Sequence, residues 1–404
     1  MRSTSSLRFF SDGTALLLLS FASLTSVSSA QDAVANAMPV PTMPAGKGIG
    51  ATGPVGYQWG PFAFSPFASY RFDSIERVRA DPGVTVESDR QRVTVGLDAV
   101  MGQHWNGSYA VSWNEYSNER FSGKTDHSLS LAGRTSYEAW NFGLNYGYDK
   151  SSSILLETAR QTLQESHSGS FQVSRAISER VAGYVTVARN LRSVEEGVDV
   201  RTWSVSPGAR YFFAPQLIGF ADVSLSWMKI QDSPDMESVR PQVGAQWDVT
   251  DKVSATAFAG WERREFVDVP NSDMDTPVYG LSLVHRPFQN TVVSVGFEQT
   301  TGVSYFSARV TETRRWNIGL SQRLLEHFDF SAGMTFTDVE YRATFGDLAL
   351  TRNDEREAWY LRLGTRFFGR FSAALSYRES ENSTEATGFD QNVRQWGVSL
   401  NYHY

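Results

Sequence analysis

The stretch that most constrains this chain is residues 393–404, because its side chains alternate between two chemical classes. One alternate set is mostly apolar and aromatic: Trp396, Val398, Leu400, Tyr402 and Tyr404. The other set is mostly polar: Gln395, Ser399, Asn401 and His403. Successive side chains of a β-strand point to opposite faces, so this pattern predicts a strand with one apolar and one polar surface.

The same alternation recurs along most of the chain, at residues 217–228, 253–264, 328–337 and 371–378. Aromatic residues make up 13% of the sequence and charged residues only 20%, with a mean hydropathy of -0.32. No apolar run after the first 30 residues approaches the roughly 20 residues that a spanning helix needs. A transmembrane β-barrel is still allowed, because only alternate residues of its strands face lipid.

Apart from a longer first interval, turn signals divide the alternating region into units of about 36 to 43 residues, the length of a hairpin with two long strands. We predict tight turns at residues 88–90, 139–141, 178–180, 214–216, 250–252, 287–289, 325–327 and 368–370.

Longer polar stretches lie between these turns, at residues 151–166, 267–276, 341–356 and 379–391. Residues 151–166 are the candidate for a loop that narrows a pore. Residues 105–108 predict either a two-residue hairpin or part of one very long strand.

These patterns predict an all-β fold, a transmembrane antiparallel up-and-down β-barrel of about 18 strands, within a range of 16 to 20. Alternation alone would also fit a soluble sandwich, whose apolar faces pack together. Aromatic residues beside the predicted short turns favour the membrane barrel, because such barrels carry aromatic girdles at the lipid interfaces. They are Trp140, Phe213, Trp247, Phe288, Phe328, Phe367 and Phe371.

The N-terminal 56 residues differ in composition from the rest. Residues 1–30 carry Arg2 and Arg8, an apolar core and small residues before Gln31, which predicts a secretory signal peptide. Residues 31–56 are rich in Ala, Pro and Gly and contain no aromatic residue, which predicts a flexible periplasmic segment. A plug or a partner-binding strand is the alternative for this segment. The barrel is expected to span residues 57–404, in the outer membrane of a Gram-negative cell and without disulfides, since the chain has no cysteine.

Assigning the apolar face to lipid leaves the polar face to line a lumen. By parity the charged lining candidates are Arg134, Arg210, Arg240, Arg264, Arg362, Arg366, Arg378, Asp222 and Glu262. Eighteen strands enclose a space too wide for side chains to fill, so the lumen is expected to contain water unless a loop folds inward. The arginines either favour anionic or hydroxyl-rich solutes or pair with carboxylates and brace the wall.

The acidic residues that produce the net charge of -7 are expected in the long loops, with Asp354 and Glu355 among them. No motif predicts catalysis, a metal site or a cofactor. The six histidines have no metal-ligand spacing, and Ser282 and His285 are predicted to lie on opposite strand faces. Nothing indicates a nucleic acid partner.

Two resemblances to known proteins add to this interpretation. The final strand resembles the C-terminal assembly signal of outer-membrane barrels, which implies recognition by the barrel assembly machinery and closure of the last strand against the first. Residues 82–97 (PGVTVESDRQRVTVGL) and 206–211 (SPGARY), with the predicted turn at 214–216, resemble the β-barrel porins often found beside exopolysaccharide genes. That resemblance implies a barrel of this strand number and a role in polymer export.

Two functions follow as hypotheses. The first is a porin-like channel for small hydrophilic solutes, or for an exopolysaccharide. The second is a structural or surface-binding barrel whose loops close the lumen. Either one would contact outer-membrane lipid and lipopolysaccharide.

Overall fold

The computed structural model describes residues 57–404, except residues 82, 103, 156–159, 196, 268, 270–272, 305–308, 326, 344–351 and 386–389. The predicted signal peptide and the segment 31–56 therefore lie outside the described residues. The strands are β1 Tyr57–Trp59, β2 Phe62–Asp81, β3 Val84–Met101, β4 Trp105–Tyr116, β5 Thr125–Tyr137, β6 Trp140–Leu155, β7 Arg160–Ala176, β8 Val181–Val194, β9 Val200–Ala214, β10 Leu217–Ile230, β11 Met236–Thr250, β12 Val253–Phe266, β13 Met274–His285, β14 Thr291–Val303, β15 Arg309–Leu324, β16 Phe328–Ala343, β17 Arg352–Phe367, β18 Phe371–Thr384 and β19 Gln391–His403.

Strands β2 to β19 form one closed antiparallel barrel of 18 strands, as the sequence predicts. Each strand pairs with the next in chain order, and β19 pairs with β2 from Arg394 opposite Glu76 to His403 opposite Phe67. The short strand β1 pairs with β2 beyond the end of β19, between Phe62 and Phe64. Closure leaves no long sheet edge open at the membrane level, which a barrel in lipid requires.

The outer surface carries the apolar alternate set of each strand. Exposed residues of this set include Val95 on β3, Leu281 on β13 and Trp396 on β19. The predicted girdle residues Trp140, Phe213, Trp247, Phe288, Phe328 and Phe371 are also exposed beside the short connections. An apolar belt around a closed barrel is the exterior that lipid requires, so this is a β-barrel of the Gram-negative outer membrane. Among the described residues, no helix is long and apolar enough to cross a bilayer.

The belt is bounded by two rings of aromatic residues. On β4 the ring residues are Trp105 and Trp113, and on β17 they are Phe367 and Trp359, eight positions apart in each case. Eight residues extend about 26 Å along a strand, or about 20 Å across the membrane at a tilt near 40°. The ring that contains Trp113 and Trp359 is the extracellular one. Strand residues beyond it, such as residues 352–358 of β17, therefore lie above the membrane.

The first predicted turn is wrong. Residues 88–90 lie inside β3, which runs without interruption from Val84 to Met101. The chain turns instead just before Trp105, where Gly102 has a φ of 59° that residues with a Cβ rarely adopt. Residues 105–108 are thus neither a hairpin nor the middle of a long strand, since they begin β4.

The predicted long loops are also shorter than expected. Residues 151–155 and 160–166 belong to β6 and β7, so the connection between these strands is shorter than predicted. Likewise, residues 352–356 belong to β17 and residues 379–384 to β18. The polar composition of these stretches marks strands that continue above the membrane, where both faces can be polar.

Candidate functional site

The inner wall changes character between its two ends. Near the periplasmic end, inner-face side chains such as Asn141, Asp248 and Ser282 are exposed to solvent. Near the extracellular end, the inner-face residues of nearly every strand are buried, including Asp73, Met236, Val278, Tyr341 and Asp354. An open lumen would expose such residues, so the extracellular mouth is packed with side chains.

One cause of this packing is the tip of β14 and β15, residues 299–303 and 309–313, which we name the second inward hairpin. Val303 and Val310 belong to the same alternate set as the lipid-facing Trp316. They nevertheless pack against Met236 and Phe266, which belong to the inner set of β11 and β12. The outer face of this hairpin therefore lies against the inner face of β9–β12, inside the barrel mouth.

The tip of β6 and β7, residues 151–155 and 160–164, repeats this arrangement, and we name it the first inward hairpin. Ile154 belongs to the outward set of β6 but packs against the buried cluster of Ile75, Val78 and Phe121. Strands β2 and β7, which are not neighbours in the wall, come into contact as a result. Both hairpins thus bend inward and pack against the inner faces of strands that precede them in the chain.

The bending of each hairpin opens a seam in the strand ladder. Pairing between β5 and β6 ends at His127 opposite Lys150, although β6 and β7 remain paired as far as Leu155. Pairing between β13 and β14 ends at Tyr279 opposite Gln299, although β14 and β15 remain paired as far as Val303. Backbone groups at a seam lose their ladder partners, and buried backbone groups need replacements.

Side chains supply these replacements, and we call the two sets the first and second latch. In the first latch, the Ser152 amide donates to Oδ1 of Asp126 at 3.0 Å, and Asn114 donates to the other carboxylate oxygen at 2.7 Å. In the second latch, Arg264 donates to the carbonyl of Gly302 at 3.0 Å and also to the Thr301 hydroxyl. The Thr301 hydroxyl in turn donates to Glu262 at 2.6 Å.

A buried charged network lies at the same level on β16–β18. Arg352 donates to both oxygens of Asp354 at 2.7 Å each, and Tyr341 donates to Oδ2 at 3.3 Å. Arg356 lies 3.4 Å from the same oxygen and donates to Asn382 at 2.9 Å. Burial raises the pKa of Asp354, but the hydrogen bonds and charge of Arg352 outweigh it, so the pKa lies below its usual 3.8. Asp354 is thus ionised, and the expectation that it lies in a loop is wrong.

The nine predicted lining residues all lie on the inner face of the wall. Arg134, Arg362 and Arg366 are exposed toward the lumen. Neither Arg362 nor Arg366 forms a salt bridge with another described residue. The positive charges of Arg71 and Arg90 act on Arg378, whose Nη2 is buried without a hydrogen-bond partner. These arginines place positive charge on the accessible part of the lumen wall, beside the carboxylates of Asp248 and Asp329.

Other members of the predicted set brace the wall instead. Asp222 accepts hydrogen bonds from Tyr184 at 3.0 Å and from Gln242 at 3.2 Å. Arg210 lies over the ring of Tyr184, 5.0 Å from its centroid. Arg264 and Glu262 form a salt bridge of 2.9 Å, and the charge of Arg240 acts on Glu262. The structure therefore divides the set between lumen-facing cations and wall-bracing pairs.

Aromatic rings on the inner face lie flat against glycines of the neighbouring strand. A Cβ at Gly244 would approach the ring of Phe220 to 2.3 Å, and one at Gly280 would approach Phe258 to 2.4 Å. The same contact joins Gly96 with Phe67, Gly208 with Tyr184 and Gly333 with Tyr360. Glycine at these positions lets large rings lie along the wall instead of projecting into the lumen.

Two features of the site could not be recognised in the sequence. The latch residues Asn114, Asp126 and Ser152 and the Arg352–Asp354 pair gave no motif, because they meet only when hairpins bend. One signal was present in the sequence: polar and apolar side chains keep alternating in these strands over more residues than a strand needs to cross a membrane. Within the described residues, no group of three or more His, Asp or Glu side chains could bind a metal ion. Ser282 and His285 lie on opposite faces of β13.

No protein-family model matches this sequence, and no curated protein sequence matches it. Among solved structures, it is similar to Acinetobacter baumannii OccAB4 (TM-score 0.46, 11% identity, 84% of this chain and 98% of that one). It is similar to Pseudomonas aeruginosa OccK7 (OpdD) with a TM-score of 0.47, 8% identity and coverage of 85% and 99%. A third is Pseudomonas aeruginosa OpdK with vanillate, with a TM-score of 0.46, 10% identity and coverage of 84% and 99%.

Proposed function

We propose that the protein is an outer-membrane channel for small hydrophilic solutes, with a preference for anions, whose extracellular mouth is closed by the two inward hairpins. The observation that carries the proposal is the contrast within the lumen. Arg362 and Arg366 face an accessible space, whereas the hairpins above are held by a few side-chain hydrogen bonds and by apolar contacts of residues such as Ile154 and Val303. Displacing the hairpins would connect this space to the outside.

A disulfide can test the closed state directly, because the chain has no cysteine of its own. In the double variant Asp126→Cys with Ser152→Cys, the two cysteines would meet at the first latch, where the Ser152 amide donates to the Asp126 carboxylate. If β6 stayed in the wall beside β5, these positions would lie on opposite sheet faces, and no bond could form. We expect the disulfide to form, which a mobility shift on gels after oxidation would report.

Conductance in planar bilayers then tests the channel. The oxidised double variant is expected to be silent. The same protein after reduction, which lacks the Asp126 carboxylate, is expected to open more often than wild type, by about tenfold if the lost charged hydrogen bonds contribute about 1.5 kcal/mol. Equal conductance before and after reduction would contradict gating by this hairpin.

The burial of the extracellular mouth also favours a second candidate, a structural barrel that never opens. Replacing residues of both latches, Asp126→Ala with Arg264→Ala, separates the two functions. A channel should then show unit conductance steps, and a structural barrel should stay silent while remaining folded. Far-ultraviolet circular dichroism would establish that the variant keeps its strands.

A more specific version of the channel proposal is that the protein exports an exopolysaccharide. It is supported by the resemblance of residues 82–97 and by the hydroxyl and amide side chains that line much of the inner face, such as Ser170, Asn145 and Thr256. Deleting the gene and measuring polymer in the medium would test it. Normal polymer release from the deletion strain would leave only the small-solute channel.

A further inference from the structure

On the outer face, just above the extracellular aromatic ring, three cations stand together on β8–β10. Arg201 on β9 lies directly opposite Lys229 on β10. Arg189 on β8 lies over the ring of Trp203, 4.9 Å from its centroid. Trp203 in turn lies opposite Trp227, and both rings are about half exposed. We call Arg189, Arg201 and Lys229 the basic patch.

Arginines elsewhere on the outer face, at the same height, are neutralised by carboxylates. Arg263 pairs with Glu265 at 3.1 Å and with Asp273 at 2.8 Å. Arg342 pairs with Glu340 at 3.0 Å, and Arg394 pairs with Glu379 at 3.0 Å. These strands show that the fold can supply outward carboxylates wherever an outward arginine needs one.

The basic patch differs in this respect. Neither Arg189 nor Arg201 forms a salt bridge with any residue that the structure describes, although Asp199 and Glu237 flank them on the same face. Lys229 reaches Asp235 at 3.7 Å, and an exposed pair of this length contributes little. Like charges directly opposite on neighbouring strands destabilise a sheet. An anion bound between the cations would relieve this repulsion.

The position of the patch identifies the anion. Below it, Val185 and Val223 continue the lipid-facing surface, and Trp203 and Trp227 mark the interface. An anion at this height is the head group of an amphiphile whose acyl chains lie along the apolar belt. We propose that the basic patch binds a phosphate group of lipid A, the lipid part of lipopolysaccharide in the outer leaflet. Guanidinium groups bind phosphate oxygens in a bidentate manner, which suits Arg189 and Arg201.

The test uses the full chain in detergent, titrated with bis-phosphorylated lipid A and followed by native mass spectrometry. The triple variant Arg189→Ser, Arg201→Ser and Lys229→Ser is expected to bind lipid A at least about tenfold more weakly than wild type, the loss typical of one charge-assisted hydrogen bond. The matched control Arg263→Ser is expected to bind normally, because that arginine is already neutralised.

Two further ligands test which chemical group of lipid A the basic patch binds. Lipid A without its phosphates is expected to bind wild type and the triple variant equally weakly. Inorganic phosphate in excess is expected to displace lipid A only partly, because it lacks the acyl chains. Equal binding of lipid A to wild type and the triple variant would overturn the proposal. Full displacement by inorganic phosphate would also overturn it and would indicate a site for soluble anions. Lipid A binding at this patch does not depend on whether the lumen conducts.

Discussion

The two ends of this barrel solve the same problem of a wide polar interior in opposite ways. At the periplasmic end, inner-face residues such as Arg366 and Asp248 remain in contact with water. At the extracellular end, comparable residues such as Arg356 and Asp354 are buried and bonded to one another. Both ends have the same alternation of inner and outer side chains. They differ in what the inner face contacts, which is solvent at the periplasmic end and packed side chains at the extracellular end.

The difference shows that polarity of an inner face does not by itself indicate an open lumen. Arg356 and Arg366 stand on the same strand and the same face, ten positions apart. One is part of a buried network and the other faces solvent, because the inward hairpins fill only the upper part of the barrel. Four perturbations measure how far this contrast extends.

The largest effect is expected from Asp354→Asn. This change leaves Arg352 and Arg356 buried without their counter-charge, which typically costs about 3–5 kcal/mol. The free energy of unfolding in lipid vesicles, measured by urea titration, should fall by that order. Hydrogen exchange should rise at the tips of β16–β18.

The matched control for that change is Asp329→Asn near the periplasmic end. Asp329 pairs with Arg323 at 3.1 Å, but both side chains are about 40% exposed. Such pairs contribute about 0–1 kcal/mol, so stability should barely change. Similar losses from both variants would show that the two ends are equally packed and would remove the contrast.

An acid titration should act on the same network. Because the pKa of Asp354 is lowered in the fold, its contribution to stability is fully present above the unfolded value of 3.8. It is lost as the pH falls through the lower folded value. Relative to the intrinsic exchange rate of an unfolded amide at each pH, hydrogen exchange at the mouth should therefore stay constant from neutral pH to about 5 and increase below about 3.8. Asp354→Asn should lack the part of this increase that belongs to Asp354, and an identical profile in the variant would contradict this assignment.

The smallest effect concerns selectivity. Replacing both Arg362 and Arg366 by Glu should lower the ratio of anion to cation permeability by about twofold, since charges in a water-filled lumen are screened within about 8 Å. Reversal potentials in a salt gradient measure this ratio. Because the mouth is closed, the pair should be compared in the background of Asp126→Ala with Arg264→Ala. The outward Arg263→Glu is the control and should leave the reversal potential unchanged.

The fold was predictable from sequence because period-two alternation, turn spacing and a closing strand are all local signals. The strand count, the apolar belt and the pairing of β19 with β2 followed from them. The mouth was not predictable, because Asp126 meets Ser152, and Arg264 meets Thr301, only through hairpins that leave the wall. Residues 352–356 looked like part of a polar loop because a buried charged network has the same composition as an exposed one.

The seams bear on how reversible the closure can be. Gln299 donates to the backbone carbonyl of Pro277 at 3.0 Å. In the same way, the latch side chains hydrogen-bond the backbone amide of Ser152 and the backbone carbonyl of Gly302. A hairpin that returned to the wall would recover ladder partners from the strand edge beside it, so its backbone would stay hydrogen-bonded in either position. What separates the two positions is then mainly the apolar contact of a few side chains, among them Ile154, Val303 and Val310. Reversible opening of the kind proposed above would then not require the barrel to unfold.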